Sequence, residues 1–108
     1  MTSEYCIAMT TLEDEESASQ LARSVVEAKL AACVQLTHIR STFSWEGKVE
    51  DAAEVLIVMK TRADVYERLQ QFICDNHPYD VPEILQIPVT GGYGPYLSWV
   101  NDHTAATL

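Results

Sequence analysis

The chain has 108 residues, of which 47% are hydrophobic and 21% are charged, the proportions of a globular protein rather than a disordered one. This length predicts a single domain over residues 1–108. Seven Lys and Arg against sixteen Asp and Glu give a net charge of −9, which argues against nucleic acid as a partner and favours cations.

The N-terminus, Met1 to Glu4, has neither the basic start nor the apolar stretch of a signal peptide, and no apolar run is long enough to cross a membrane. Cys6, Cys33 and Cys74 are widely spaced, and each lies in an apolar segment. We therefore expect a cytoplasmic protein without a membrane partner, whose three thiols are reduced, buried and slow to react.

The first half of the chain predicts a strand, a helix and a long hairpin. Large and small side chains alternate in the strand, apolar residues recur at helical spacing in the helix, and the hairpin is rich in β-branched and aromatic residues. The predicted segments are a strand at 5–10, an acidic loop at 13–16, a helix around 18–26, and hairpin strands at 33–45 and 48–60 joined by Glu46-Gly47.

The second half predicts a helix, a strand and a short C-terminal helix. Residues 61–64, Thr-Arg-Ala-Asp, resemble a capping box before an apolar stripe at 65–73, and Pro78 ends that helix. Residues 84–89 follow as a strand. Pro95 is the predicted first residue of the last helix, and the polar residues after Asn101 are expected to fray.

The predicted order β-α-β-β-α-β gives an α+β fold, a ferredoxin-like split βαβ sandwich. Its four-stranded antiparallel sheet carries both long helices on one face, with a long hairpin and a short C-terminal helix. Hairpin strands of about 12 residues span about 40 Å, whereas a domain of this size has a radius of gyration of about 13 Å. The hairpin should project beyond its own core, so its apolar residues require another subunit.

The stretch from His77 to Ile84 is the most informative motif in the chain. Pro78 and Pro82 hold this loop in a near-fixed shape, because neither can continue a helix and each restricts the residue before it. The loop places an imidazole, a phenol and two carboxylates directly before an apolar strand. A rigid binding loop and a stiff connector with solvated polar groups are both compatible with this pattern.

That loop and four further motifs together resemble the CutA family, which is named for divalent-cation tolerance. The motifs, in chain order, are Leu30-Ala-Ala-Cys-Val34, Trp45-Glu-Gly-Lys48, Lys60-Thr-Arg62, His77-Pro-Tyr-Asp-Val-Pro-Glu-Ile84 and Tyr96-Leu-Ser-Trp99. The resemblance implies a small cytoplasmic homotrimer with a ferredoxin-like fold and no established catalytic activity.

His77 is the candidate metal ligand. Imidazole and sulfur ligands suit copper or zinc, and some bacterial members of the resembled family carry a Cys late in the first strand and paired histidines before the Pro-Tyr step. Here Met9 stands at the Cys position and Asn76 at the first histidine position, which leaves only His77. We expect at most moderate affinity for copper or another divalent cation, and a purely structural role for His77 is equally open.

A small-molecule site is the second possibility, with side chains from the hairpin, the proline loop and the strand after it. The candidate ligand-binding residues are Trp45, Lys60, Tyr79 and Glu83. Trimeric PII-type signalling proteins share this architecture and bind effectors in clefts between subunits, which is an analogy of fold only. Alternatively, Trp45 belongs to a plain hairpin tip and Lys60 is a surface charge.

An enzyme is the least favoured possibility. Acylphosphatases share this plan but need a backbone cradle and an Arg for phosphate, whereas the corresponding loop here, Glu13 to Glu16, is acidic and would repel the substrate. Cys33 and His38 should point to opposite faces of their strand. With the trimer and the role in divalent-ion tolerance that the resemblance implies, we expect a non-enzymatic homotrimer, and the alternative is a PII-like signalling module that binds a small-molecule effector between subunits.

Overall fold

The fold follows the predicted order of strands and helices, in a computed structural model that describes residues 3–105. The elements are β1 (Tyr5–Leu12), α1 (Glu15–Glu27), β2 (Cys33–Trp45), β3 (Lys48–Arg62), α2 (Tyr66–Asn76), β4 (Ile84–Val89) and α3 (Gly94–Asp102). A short 3₁₀ turn, Ala63–Val65, leads into α2. The predicted ferredoxin-like α+β architecture is confirmed.

The four strands form one antiparallel sheet in the order β2-β3-β1-β4. One face of this sheet is covered by α1 and α2, because alternate residues of the two central strands are apolar or small and fully buried. The buried strand residues are Cys6, Ala8, Thr10, Val55, Ile57, Met59 and Thr61. They pack with helix residues that include Leu21, Val25, Leu69 and Ile73.

We call the opposite side of the sheet the open face, since neither α1 nor α2 covers it. Leu85 and Ile87 of β4 are 53% and 43% exposed there, and they pair with Met9 and Ile7 of β1. A monomer seldom leaves so many large apolar side chains in water. This face is therefore a candidate surface for contact between subunits.

The hairpin projects beyond the core, as predicted. β1 stops pairing with β3 at Leu12, opposite Val55, whereas β2 and β3 pair as far as Trp45 and Lys48. The described part of the chain is accordingly elongated, 44 × 27 × 21 Å. Phe43 and Trp45 are 41% and 59% exposed on this projecting segment.

Two local expectations are wrong. Thr61 caps no helix; it lies in β3, and its hydroxyl donates a buried 2.7 Å hydrogen bond to the Leu30 carbonyl oxygen. The residues just after Asn101 do not fray, since the Thr104 hydroxyl bonds to the Val100 carbonyl and the Ala105 amide bonds to the Lys29 carbonyl. Residues 106–108 lie outside the described part.

The three cysteines are free, but they differ in environment. Cys6 is buried beneath the helices, Cys33 is half-buried on the open face, and Cys74 is exposed on α2. The expectation of three buried thiols is therefore correct for Cys6, met only in part by Cys33 and wrong for Cys74. The apolar stripe of α2 passes through Leu69 and Ile73, which leaves Cys74 on the outer side of the helix.

Candidate functional site

The candidate site is the loop of residues 77–83, which joins α2 to β4. The helix ends at Asn76 because Pro78 forces His77 into an extended conformation, with φ −102° and ψ 133°. This turn brings the imidazole of His77 back against the end of β1 and carries the chain toward β3. The prolines thus determine where the side chains of the loop can reach.

Both ring nitrogens of His77 have hydrogen-bond partners. Nε2 lies 2.7 Å from the carbonyl oxygen of Thr11, and Nδ1 accepts a 3.2 Å bond from the backbone N–H of Tyr79. A carbonyl oxygen only accepts and an amide N–H only donates, so the network assigns the neutral tautomer with its proton on Nε2. The imidazole therefore has no unused nitrogen in this conformation.

Tyr79 is the second anchor of the loop. Its ring meets the His77 ring edge-on, with centroids 4.7 Å apart, and its hydroxyl donates a 3.3 Å hydrogen bond to the Glu54 carboxylate. Burial raises the pKa of the Tyr79 phenol, and the negative charge and hydrogen bond of Glu54 raise it further, with smaller effects from Glu13 and Asp14.

The two anchors use positions that the sheet leaves open at its strand ends. β4 pairs with β1 only as far as Thr10, so Thr11 lies just beyond that ladder. β1 pairs with β3 only as far as Val55, so Glu54 lies just beyond the second ladder. The loop therefore lies at the level of the sheet where β1 ends and only the hairpin of β2 and β3 continues.

The four predicted ligand-binding residues do not form one site within a single chain. Trp45 pairs with Lys48 at the hairpin tip, while Lys60 lies at the far end of β3, about 40 Å away at ~3.3 Å per residue. Tyr79 contacts β3 at Glu54, roughly midway between them, and Glu83 is exposed directly before β4. Their approach across subunits stays a prediction.

Lys60 has an environment of its own on the open face. Its ammonium donates a 2.6 Å hydrogen bond to the side-chain oxygen of Gln35 and lies 6.0 Å from the ring centroid of Tyr96. Burial raises the pKa of Tyr96, and the adjacent thiol of Cys33 adds to this shift. Lys60 is thus a half-buried residue whose ammonium lies beside an amide oxygen and near an aromatic ring.

Glu54 and Gln35 belong to these two clusters but were not among the predicted site residues. Period-two counting along β3 would have placed Glu54 on the same face as Lys60, since strand residues an even number apart share a face. No comparable signal existed for Gln35, because its contact with Lys60 depends on the register between β2 and β3.

The residues of one chain do not fit a closed metal site. Within residues 3–105, no three side chains of His, Cys, Asp or Glu converge closely enough to hold a metal ion. Met9 lies on the open face, opposite to Cys6, and the side-chain amide of Asn76 donates to the Phe72 carbonyl. Among the described residues, no contact joins the side chain of Met9 or of Asn76 to the imidazole of His77.

The other histidines are engaged elsewhere. His38 lies on the helix side of β2, 3.0 Å from the Glu15 carboxylate, whereas Cys33 lies on the open face. The expected separation of the Cys33 and His38 side chains is confirmed. The His103 ring bonds to the Trp99 carbonyl, and its centroid lies 4.8 Å from that of the indole with the ring planes tilted by 34°. Among the described residues, no helix has the length and apolar character needed to cross a bilayer.

Comparison with known proteins gives one consistent answer. The family model described as CutA1 divalent ion tolerance protein matches residues 6–103. The chain is 40% identical over 98 residues to the divalent-cation tolerance protein CutA of Pyrococcus horikoshii, covering 91% of this chain and 96% of that protein. The crystal structure of CutA1 from Oryza sativa superposes with a TM-score of 0.93 at 37% identity, covering 98% of each chain.

Other relatives are longer. Protein CutA, chloroplastic, of Arabidopsis thaliana is 41% identical over 99 residues, which are 91% of this chain but only 54% of that protein. The chain thus spans about half the length of several relatives that it matches. Because this relative is described as chloroplastic, compartment varies among similar proteins, and a cytoplasmic location stays a prediction.

Proposed function

Because the chain belongs to the CutA1 divalent ion tolerance family, we propose that it functions in divalent-ion tolerance as a non-enzymatic homotrimer. The observation that carries this proposal is the match of the family model over residues 6–103, nearly the whole described chain. The cellular test is complementation: the wild-type gene should restore growth of a strain made sensitive to copper by loss of its own family member. No restoration at matched protein levels would contradict the proposal.

Assembly is supported by the exposed apolar residues of a single chain. Leu85 and Ile87 on the open face and Phe43 and Trp45 on the hairpin are all more than 40% exposed. Burying such side chains gains about 25 cal/mol per Å² of apolar surface. Contact with a second copy of the chain would therefore stabilise these exposed apolar residues. The number three follows from the family resemblance, and sedimentation of the purified protein tests it.

We further propose that the protein binds copper and that His77 is the ligand. The imidazole would have to give up one of its two hydrogen bonds to coordinate an ion, so we expect at most moderate affinity. Binding should weaken as the pH falls, because a protonated imidazole cannot ligate. The acidic surface also attracts cations non-specifically. Added salt should remove this non-specific binding but not coordination by His77.

The test is a calorimetric titration with Cu(I), Cu(II) and Zn(II) at physiological ionic strength. Wild type is compared with His77→Ala and with the matched control His103→Ala, which removes an exposed imidazole elsewhere. Loss of copper binding in His77→Ala alone supports the proposal. Copper binding that is equal in all three proteins would show that His77 is not the copper ligand.

A second candidate function is binding of an anionic small molecule at Lys60. Among the described residues, its ammonium bonds to an amide oxygen and lies 6.0 Å from a ring centroid, with no ion pair to a carboxylate, so an anion would supply a countercharge. Trp45 of a neighbouring copy would complete the site, since about 40 Å separates the two residues within one chain. Thermal shifts with carboxylate and nucleotide panels test this, using Lys60→Met and, as control, Lys48→Met.

A further inference from the structure

Three aromatic side chains form a column along one side of α3. Tyr96, Trp99 and His103 are three and four residues apart, the spacing at which side chains of a helix become neighbours. The rings of Tyr96 and Trp99 are stacked, with centroids 5.7 Å apart and planes 25° apart, and the ring of His103 lies 4.8 Å from the indole. Both separations are typical of favourable aromatic pairs. We call these three side chains the aromatic column.

The aromatic column is held in place but remains open to water. Val100, the residue after Trp99, is buried and anchors the helix, and the His103 ring bonds to the Trp99 carbonyl oxygen at 2.8 Å. Tyr96 and Trp99 are nevertheless 40% and 39% exposed. A small solute can therefore reach an indole and a phenol whose rings are in contact, and these are two of the side chains that lose an electron most readily.

We propose that Trp99 and Tyr96 form a radical relay, in which a one-electron oxidation of the Trp99 indole is passed on to the Tyr96 phenol. The stacked contact between the two rings supplies the path. The direction follows from the chemistry of the two groups, because a phenol that can release its proton to water is easier to oxidise than an indole. The imidazole of His103 is much harder to oxidise, so it orients the indole without taking part.

Electrons and protons balance over two steps. A small one-electron oxidant, such as an inorganic radical, takes an electron from Trp99, and the indole Nε1 proton passes to water. Tyr96 then gives an electron to the indolyl radical and its hydroxyl proton to water, while the indole nitrogen takes a proton back. The products are the reduced oxidant, a proton, an intact Trp99 and a neutral phenoxyl radical at Tyr96. The ammonium of Lys60, 6.0 Å from the Tyr96 ring centroid, opposes positive charge on that ring and so favours the neutral radical.

The relay protects the indole of Trp99. An indolyl radical that is trapped by oxygen or superoxide ends as a ring-opened product, whereas a phenoxyl radical is returned to tyrosine by soluble reductants such as ascorbate. Trp99 adjoins the buried Val100 and contacts both other members of the aromatic column, so its loss would disturb the packing of α3. Transfer to Tyr96 moves the oxidation to a side chain from which it can be repaired.

The first experiment generates azide radicals by pulse radiolysis of the full-length Trp45→Phe protein. Trp45 is the only other tryptophan of the chain, so every indolyl signal then comes from Trp99. We expect first-order decay of the indolyl absorption, matched by growth of the phenoxyl absorption, at a rate independent of protein concentration. Tyr96→Phe in this background keeps the stacked ring but should lose this phase.

The matched control is Tyr93→Phe, which removes a more exposed phenol three residues before Tyr96; among the described residues, Tyr93 has no ring contact with Trp99. This variant should keep the phase. Unchanged decay in Tyr96→Phe, loss of the phase in Tyr93→Phe, or a rate proportional to protein concentration would overturn the relay.

The second experiment measures protection. Wild type, Tyr96→Phe and Tyr93→Phe receive the same steady flux of azide radicals in aerated buffer, and ring-opened Trp99 is quantified by peptide mass spectrometry. Circular dichroism before exposure confirms that all three are folded. We expect a higher yield of ring-opened Trp99 in Tyr96→Phe only. Equal yields in the three proteins would overturn the protective role.

Discussion

Thr10 and Thr61 are fully buried on the same face of the sheet, but only Thr61 has a hydrogen-bond partner for its hydroxyl. Thr61 donates to the Leu30 carbonyl at 2.7 Å, whereas Thr10 Oγ1 is buried with no partner among the described residues. An unsatisfied buried hydroxyl costs about 1–3 kcal/mol, and a satisfied one is favourable. The two threonines therefore contribute to stability with opposite signs.

We predict that Thr10→Val stabilises the fold by about 1 kcal/mol, because valine has nearly the same shape and removes the unpaired hydroxyl. The matched variant Thr61→Val should destabilise by about 1–3 kcal/mol, since it leaves the Leu30 carbonyl without this donor. Denaturant unfolding at equal protein concentration measures both. Destabilisation by Thr10→Val comparable to that of Thr61→Val would show that Thr10 has a partner, such as a buried water.

Lys29 is a position where glycine should stabilise the protein. It follows α1 with φ 60°, and the neighbouring amides close a Schellman motif, Lys29 to Val26 and Leu30 to Val25. This left-handed conformation costs a residue with a Cβ about 1–2 kcal/mol. Lys29→Gly should raise the unfolding free energy by about 0.5–1 kcal/mol. Lys29→Ala controls for the lost charge, and an equal effect of the two variants would refute the backbone explanation.

Asp14 should make α1 sensitive to acid. Its carboxylate accepts a 2.8 Å hydrogen bond from the Ser17 amide at the helix N-terminus, and this bond lowers the pKa of Asp14 below its ordinary 3.8. A lowered folded-state pKa means that the stabilisation is complete above the ordinary pKa and is lost as the pH falls through the lowered one.

We therefore expect the stability difference between wild type and Asp14→Asn to shrink or reverse as the pH falls from about 5 to 2. The asparagine retains a neutral cap that does not titrate. Acid titration followed by circular dichroism at a series of denaturant concentrations measures the difference. A gap that is constant over this range would mean that the charge on Asp14 does not stabilise the helix.

The thiols should react at unequal rates. Cys74 is exposed, whereas Cys6 is buried, and burial raises the pKa of the Cys6 thiol despite a hydrogen bond with Gln86. We expect one fast equivalent of thiol reagent at neutral pH, absent in Cys74→Ser, and release of Cys6 only on unfolding. Rapid labelling of all three thiols in the native protein would contradict the burial of Cys6.

Phe43 tests the role of the hairpin in assembly. Its side chain lies on the open-face side of the projecting segment, and Ser44 points to the other side of the same strand. Phe43→Asp should dissociate or unfold the oligomer, since it places a charge in an apolar contact. Ser44→Asp should leave the sedimentation coefficient near that of wild type. A trimer that persists in Phe43→Asp would exclude this residue from the interface.

Local signals in the sequence were sufficient to predict most of the helices and strands. The bounds of β2, Cys33–Trp45, and of β4, Ile84–Val89, agree with the prediction, because alternating side chains and the Glu46-Gly47 turn are read over a few neighbouring residues. Glu46 and Gly47 both have positive φ, as such a turn requires. The end of α2 was likewise predictable, since Pro78 acts on the residue directly before it.

The hydrogen-bond partners of the polar side chains in the candidate site could be identified only from the assembled fold. Thr61 resembled a cap but donates to Leu30, and His77 resembled a ligand but is fastened to Thr11, a residue far from it in sequence. Periodicity and turn chemistry depend on neighbours along the chain, so the elements, their order and the apolar hairpin could be predicted from the residues alone. Hydrogen-bond partners depend on the register between strands and on where each ladder stops, and those are settled only when the sheet is assembled.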